Sequence, residues 1–266
     1  MWFNGQRLSP TQLDRGLQFG DGHFTTLVIR AGRLQFWERH WQRLRTASQR
    51  LYLELPPLAD VLAVLTAIAT ETPDCVVKII VTRGLGERGY APPTQPQTHW
   101  YVTTAPLPQW DPRPLTVELA QYQLARQPAL AGLKTLNRLD QVLLSHERQQ
   151  RGVDELLVTD TEQQLVEATS SNLFWYDGQQ WRFPCLKQAG IAGIMQAEIQ
   201  AQVLPHALPT YATWSDLLMA EQAFICNTVL GPRPIGQLGH KKLHQQGLPE
   251  AVQQWYLNVL SNSLPG

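Results

Sequence analysis

The segment CVVKIIVTRGLGERGYAPPTQPQTHWYVTTA (75–105) narrows the folds open to this chain more than any other stretch. Two runs rich in β-branched residues flank a loop of glycine and proline, the pattern of two antiparallel strands. Gly84, Gly86 and Gly89 also spell G-x-G-x-x-G directly after an apolar run, a pattern that marks dinucleotide-binding turns. Such a turn must open a helix, because the helix N-terminus receives the pyrophosphate. Here YAPPTQP follows Gly89, and Pro92, Pro93 and Pro96 forbid that helix. A nucleotide-binding turn is therefore not expected. Two readings of the loop stay open: a solvated hairpin loop, or one that presents Arg83, Arg88 and Tyr90 to an anionic ligand. Arginine forks match carboxylates in bidentate fashion, which suits the second.

Around this segment the chain mixes strand and helix signals. HFTTLVIR and RLQFWE, turning at Ala31 and Gly32, read as a hairpin. Trp37, Trp41, Leu44 and Leu51 are spaced by four, three and seven, which builds one apolar stripe on a helix over 37–53. Arg43 lies just off that stripe. A second helix is expected over 57–71, stopped near Pro73. The four prolines of APLPQWDPRPL (105–115) read as an extended linker. This gives a smaller N-terminal domain over 1–104 and a larger C-terminal domain over 116–266. In the latter, LTVELA, DELLVTD, QLVEAT, NLFWYDG, QWRFP and QAFICN are short strands. Helices are expected over 137–150, 193–204 and 214–220, the first with Leu139, Val142, Leu143 and His146 at helical spacing. The layout is a two-domain α+β enzyme with several antiparallel hairpins, not a regular alternation of strand and helix.

Composition removes several function classes. Lys and Arg number 22 against 22 Asp and Glu, so no sequence-wide field attracts nucleic acid or an anionic membrane. Cys75, Cys185 and Cys226 are widely spaced and odd in number, which indicates neither a disulfide framework nor a zinc knuckle. No apolar run approaches the ~18 residues of a membrane span, and MWFNGQRLSP lacks a secretory pattern. A cytoplasmic protein is expected. His240 and His244 in HKKLH have a spacing that suits one helix face, but no acidic or cysteine partner stands nearby. A solvated basic patch is expected there, and no metal.

Three later segments carry chemistry. GLKTLNRLDQVL places Lys134 in a loop before an amphipathic helix, and QLVEATSSNLFW places Glu167 at a strand end among small residues. GIAGIMQAEI is a glycine-punctuated loop opening directly into a helix, whose backbone N–H groups form an anion cradle. Singly, these are a surface lysine, a solvated glutamate and a helix cap. Together they supply the parts of a pyridoxal-phosphate site: a lysine for the imine, a carboxylate for the pyridine nitrogen and a helix N-terminus for the phosphate.

FGDGHFTT, HWQRLRTASQRL, VTRGLGERGY, GLKTLNRLDQVL, EATSSNLFW, GIAGIM and FICNT, in that order, resemble the fold-type IV pyridoxal-phosphate enzymes over about residues 2–235. Within them, the FGDGxFTT opening and the LNRL segment resemble the aminodeoxychorismate lyase branch. The resemblance implies an α+β fold of mainly antiparallel and mixed sheets flanked by helices. It implies pyridoxal 5'-phosphate as cofactor, and conversion of 4-amino-4-deoxychorismate, a dicarboxylate, to 4-aminobenzoate and pyruvate for folate synthesis. It also implies a homodimer. Lys134 stands where the family's Schiff-base lysine stands, and Glu167 where the partner of the pyridine nitrogen stands. Arg43 matches the phosphate-contacting arginine, and Ile194 and Met195 match the backbone donors at the helix start. Thr228, with Asn227 beside it, matches the threonine that closes the phosphate cup in the related aminotransferases. An aminotransferase of the same fold, acting on D-amino or branched-chain amino acids, is the alternative. In either case Lys134 is expected to be buried against apolar walls, since desolvation makes a lysine a better base near neutral pH.

Overall fold

The computed structural model describes residues 2–3, 6–7, 13–86 and 89–261. The chain divides into two compact units, one of residues 1–106 with 134–137, the other of 107–133 with 138–266.

The first unit opens with β1 (Trp2–Phe3) and β2 (Gln6–Arg7), an antiparallel pair, and α1 (Arg15–Phe19). β3 (Gly22–Arg30) and β4 (Arg33–Leu34) form the expected hairpin, with Ala31 and Gly32 both at positive φ, as a tight turn requires. α2 (Trp37–Leu51), α3 (Leu58–Glu71), β5 (Cys75–Thr82) and β6 (His99–Pro106) follow. The four-stranded sheet runs β4-β3-β5-β6, all antiparallel. Period-two alternation along β5 sends Cys75, Val77, Ile79 and Val81 into a core with Leu44 of α2 and Val61 and Leu65 of α3. Trp37 and Trp41 pack on that core, so the stripe read from their spacing is the buried one. Lys78 falls on the opposite, half-buried face of the sheet.

Residues 134–137 complete this unit. The Phe24 N–H donates to the carbonyl of Lys134 at 2.9 Å and the Leu136 N–H to that of Gly22 at 3.0 Å, so the lysine segment pairs with the start of β3.

The second unit holds β7 (Leu115–Leu119), α4 (Leu139–Arg151), β8 (Glu155–Thr159), β9 (Leu165–Ala168), β10 (Asn172–Tyr176) and β11 (Trp181–Pro184). Beyond them come α5 (Ile194–Gln202), β12 (Leu208–Thr210), α6 (Trp214–Leu217), β13 (Gln222–Asn227), β14 (Gly231–Leu238), β15 (Lys241–Lys242) and α7 (Glu250–Ser261). One mixed sheet runs β12-β11-β10-β13-β14-β7-β8-β9, with β15 on β14. The pairs β11/β12, β14/β7 and β7/β8 are parallel. Leu157, Leu173, Trp175, Ile225 and Ile235 are among the buried side chains of its main core.

α4 is the helix expected over 137–150. Its stripe Leu139, Val142 and Leu143 is exposed at 70%, 60% and 44%, and Leu144 is the side chain it buries. Among the described residues, no helix is long and apolar enough to cross a membrane.

Candidate active site

The candidate residues occur in both units and are described unit by unit. In the first, the strand-like pairing of 134–137 fixes the backbone of Lys134, and its Nζ stands 4.8 Å from the centre of the Phe24 ring. The side chain is half-buried rather than enclosed as expected, with one side resting on that aromatic face. Lys78 Nζ lies 4.5 Å from the same ring centre. Sequence reasoning passed over Lys78. The signal was there: it is the only charge in the apolar run CVVKIIVT.

Arg43 sits on α2, and burial draws its guanidinium down to about 10. One turn earlier, His40 is fully buried. Its Nδ1 hydrogen-bonds Thr25 Oγ1 at 2.6 Å, and burial, with the charge of Arg43, takes it down to about 3, so the ring is neutral.

The loop after β5 divides its candidates. Arg83 is buried and engaged. Its Nε and Nη2 fork onto the Asp21 carboxylate at 2.8 and 3.1 Å, while Nη1 and Nη2 donate to the carbonyls of Tyr52 and Leu51 at 2.6 and 2.8 Å. It thus pairs an acid and caps the C-terminus of α2, and those donors are not offered to a ligand. Burial pushes the Asp21 carboxyl up, but Arg83 and Arg15 outweigh it and hold the group below the usual carboxylate range. Tyr90 is 85% exposed and tilts on the Phe19 ring at 5.3 Å. Arg88 lies outside the described residues.

In the second unit β9 is buried along its whole length, and Glu167 with it. One carboxylate oxygen accepts the Ile191 N–H at 2.9 Å. Arg138 is close enough to act on it: burial lowers the arginine's pKa, and the charge of Glu167 acts in the opposite direction. Gly190 has φ +87°, open to glycine, and a Cβ there would stand 2.5 Å from Val166 Cγ1. Asn172 donates through Nδ2 to the Ile191 carbonyl at 2.9 Å, so the peptides on both sides of Ile191 are held.

α5 begins at Ile194 after Gly193, with no side chain capping it, and Ile194 and Met195 are buried. Asn227 ends β13. Its Oδ1 accepts the N–H groups of Val229 and Leu230 at 2.9 and 2.7 Å, and its Nδ2 donates to Ser171 Oγ at 3.0 Å. Thr228 is half-buried in the turn thus formed. This unit offers a fixed acid, an uncapped helix N-terminus and a hydroxyl-bearing turn, the donor set of an anionic, nitrogen-containing ligand.

Residues 22–238 match the family model described as amino-transferase class IV. The chain belongs to that family. It is 28% identical over 242 residues to aminodeoxychorismate lyase of Vibrio harveyi, covering 88% of this chain and 89% of the relative. It superimposes with a TM-score of 0.84 on the crystal structure of 4-amino-4-deoxychorismate lyase from Pseudomonas aeruginosa, at 34% identity, covering 97% and 98% of the two chains. A putative branched-chain-amino-acid aminotransferase of Methanocaldococcus jannaschii is 24% identical over 257 residues, covering 91% and 86%.

Proposed function

We propose that this class IV family member is a pyridoxal-phosphate-dependent lyase that converts 4-amino-4-deoxychorismate to 4-aminobenzoate and pyruvate. The observation that carries the reading is the 34% identity to the Pseudomonas aeruginosa lyase over 97% of the chain. The residues present fit the cofactor. Glu167 is a buried carboxylate held by the Ile191 N–H, and α5 opens after a glycine with no side chain hydrogen-bonded to its end. When bound, pyridoxal phosphate supplies an electron sink for the charge left by proton removal.

Lys134 is the residue for covalent attachment of the cofactor and, as a free amine, the base that takes the substrate's C4 proton. Glu167 keeps a facing ring nitrogen protonated, since a carboxylate favours the cationic form. Arg43 is assigned to the phosphate, as are the backbone N–H groups of Ile194 and Met195 and the turn at Asn227 and Thr228. In the net reaction C4 loses its proton, the C3–O bond breaks, and the three-carbon unit leaves as pyruvate while the ring becomes aromatic. Of the three side chains read as carboxylate ligands, Arg83 serves as a fixed post beside Asp21. Contact with the substrate is assigned to Arg88 and Tyr90.

Pyruvate release in the absence of any amino acceptor tests the activity; turnover that requires an acceptor would replace this reading with an aminotransferase, which the Methanocaldococcus jannaschii relative supports. Lys134→Ala is expected to abolish both the imine absorbance and turnover, and an active variant would remove the assignment. Arg88→Ala is expected to raise KM for the dicarboxylate. A homodimer is part of the proposal, supported by the exposed apolar stripe of α4. So is a cytoplasmic location, supported by the free thiols of Cys75, Cys185 and Cys226.

A further inference from the structure

The dipeptide Asp14-Arg15 at the start of α1 makes polar contacts in two directions, and no step of the reaction uses it. Asp14 faces the sheet. Its Oδ2 accepts from Thr82 Oγ1 at 2.9 Å and the Tyr101 hydroxyl at 3.0 Å and meets His99 Nδ1 at 2.8 Å, which ties together the paired ends of β5 and β6. Its Oδ1 accepts the Gly16 N–H at 2.6 Å and caps α1. Arg15 faces the other way. Its backbone N–H donates to the Gly84 carbonyl at 2.8 Å, and its Nε pairs with Asp21 at 2.8 Å.

The rest of its guanidinium closes on successive carbonyls: Nη1 on Gly89 at 3.3 Å and Ala91 at 3.2 Å, Nη2 on Tyr90 at 2.8 Å. Three consecutive peptide oxygens are thus turned inward on one buried cation. The same cation lies over the Phe19 ring at 4.9 Å, and Tyr90 tilts on that ring. Carbonyls in an exposed glycine and proline loop are ordinarily hydrated, and the five donors of an arginine's planar fork can meet three of them while one still pairs with Asp21.

We infer that Arg15 is a positioning residue: it sets the backbone at Gly89, Tyr90 and Ala91, and through it how tightly the enzyme holds a substrate carboxylate. The inference rests on the reading of this loop as the carboxylate-binding one. Two variants act on it differently. Arg15→Gln removes the fork. Gly86→Ala keeps the arginine but crowds it, because a Cβ at Gly86 would stand 2.7 Å from Arg15 Cδ and 3.1 Å from its Cγ.

Hydrogen exchange of the holoenzyme, read on peptides covering 84–92, is expected to quicken in both variants while the 75–82 strand stays protected. KM for aminodeoxychorismate is expected to rise about tenfold, with kcat falling less than threefold and the imine absorbance kept, in line with the loss of charge-assisted hydrogen bonds. Unchanged exchange over 84–92 in the folded variants would overturn the inference. Faster exchange with an unchanged KM would overturn the link to substrate. Arg88→Ala then separates the two failures. If it raises KM, the loop reading stands and the role of Arg15 falls; if it too leaves KM unchanged, the loop reading itself has failed.

Discussion

At position 193 a Cβ would stand 1.7 Å from Asn172 Oδ1, and the same Asn172 side chain donates to the Ile191 carbonyl, whose peptide neighbour holds Glu167. Gly193→Ala therefore must displace Asn172, free the peptide that follows Ile191 and, through that residue, loosen the carboxylate. Its expected effect is a loss of pyridoxal-phosphate affinity of at least about tenfold, the scale of one lost buried hydrogen bond. Gly247→Ala, with nothing within 4 Å of its added Cβ, is the matched control. Absorbance titration of the apo forms decides; equal affinities would mean that Asn172 plays no part in the cradle. Such residues also show what a sequence can and cannot reveal. Lys134 and Glu167 stand out because their chemistry resides in the residue type and its neighbours. The engagement of Arg83 does not, since the acid it meets is 62 positions away and only the fold brings it there. An arginine beside glycines reads as an open fork until its partners are seen.

Between β3 and α2 run two polar rungs, with Arg43 close by: His23 Nε2 to Ser48 Oγ at 2.8 Å, and Thr25 Oγ1 to His40 Nδ1 at 2.6 Å. The second nitrogen of each ring, His23 Nδ1 and His40 Nε2, has no hydrogen-bond partner among the described residues. Burial holds His23 down to about 4, and burial with Arg43 holds His40 down to about 3, against an ordinary 6.5. Below pH 6.5 the unfolded chain takes up protons that these folded rings refuse. Stability is accordingly lost as pH falls from 6.5 towards those values, and these two groups change nothing above 6.5. The expected loss is roughly 2 kcal/mol per histidine between pH 7 and 5. Urea unfolding at both pH values should show a smaller loss for His40→Gln than for the wild type. Equal losses would remove His40 as the cause. Elements themselves were legible where period and punctuation agreed, as in α2, α3, β5 and β13. β14 has no such agreement, because Pro232, Pro234 and Gly236 interrupt any strand signal. Its register explains the tolerance: both prolines pair with β13, and pairing to β7 begins only at Ile235, so their missing N–H groups fall on the edge with no ladder. α4 was legible as a helix, but its apolar stripe is exposed. A helical stripe signals that some face is to be covered, not what covers it.

For the molecule as a whole, the exposed Leu139, Val142 and Leu143 stripe belongs with the proposed homodimer. Leu139→Glu combined with Val142→Glu is expected to shift the protein to monomer in sedimentation velocity while far-ultraviolet dichroism is kept; a dimer that persists would place the interface elsewhere. The bulk balance of charge bears on partners but left this surface invisible, since a covered and an uncovered helix face have the same composition. The four residues 134–137 have a further effect. They return to the first unit after 27 residues, 107–133, assigned to the second, and their pairing occupies the Phe24 N–H and the Gly22 carbonyl. On the ribosome, β3 then emerges more than a hundred residues before its last backbone partner. The first unit cannot close as it is made, and a nascent chain stopped near residue 106 is expected to leave the start of β3 open to protease until Lys134 and its neighbours arrive.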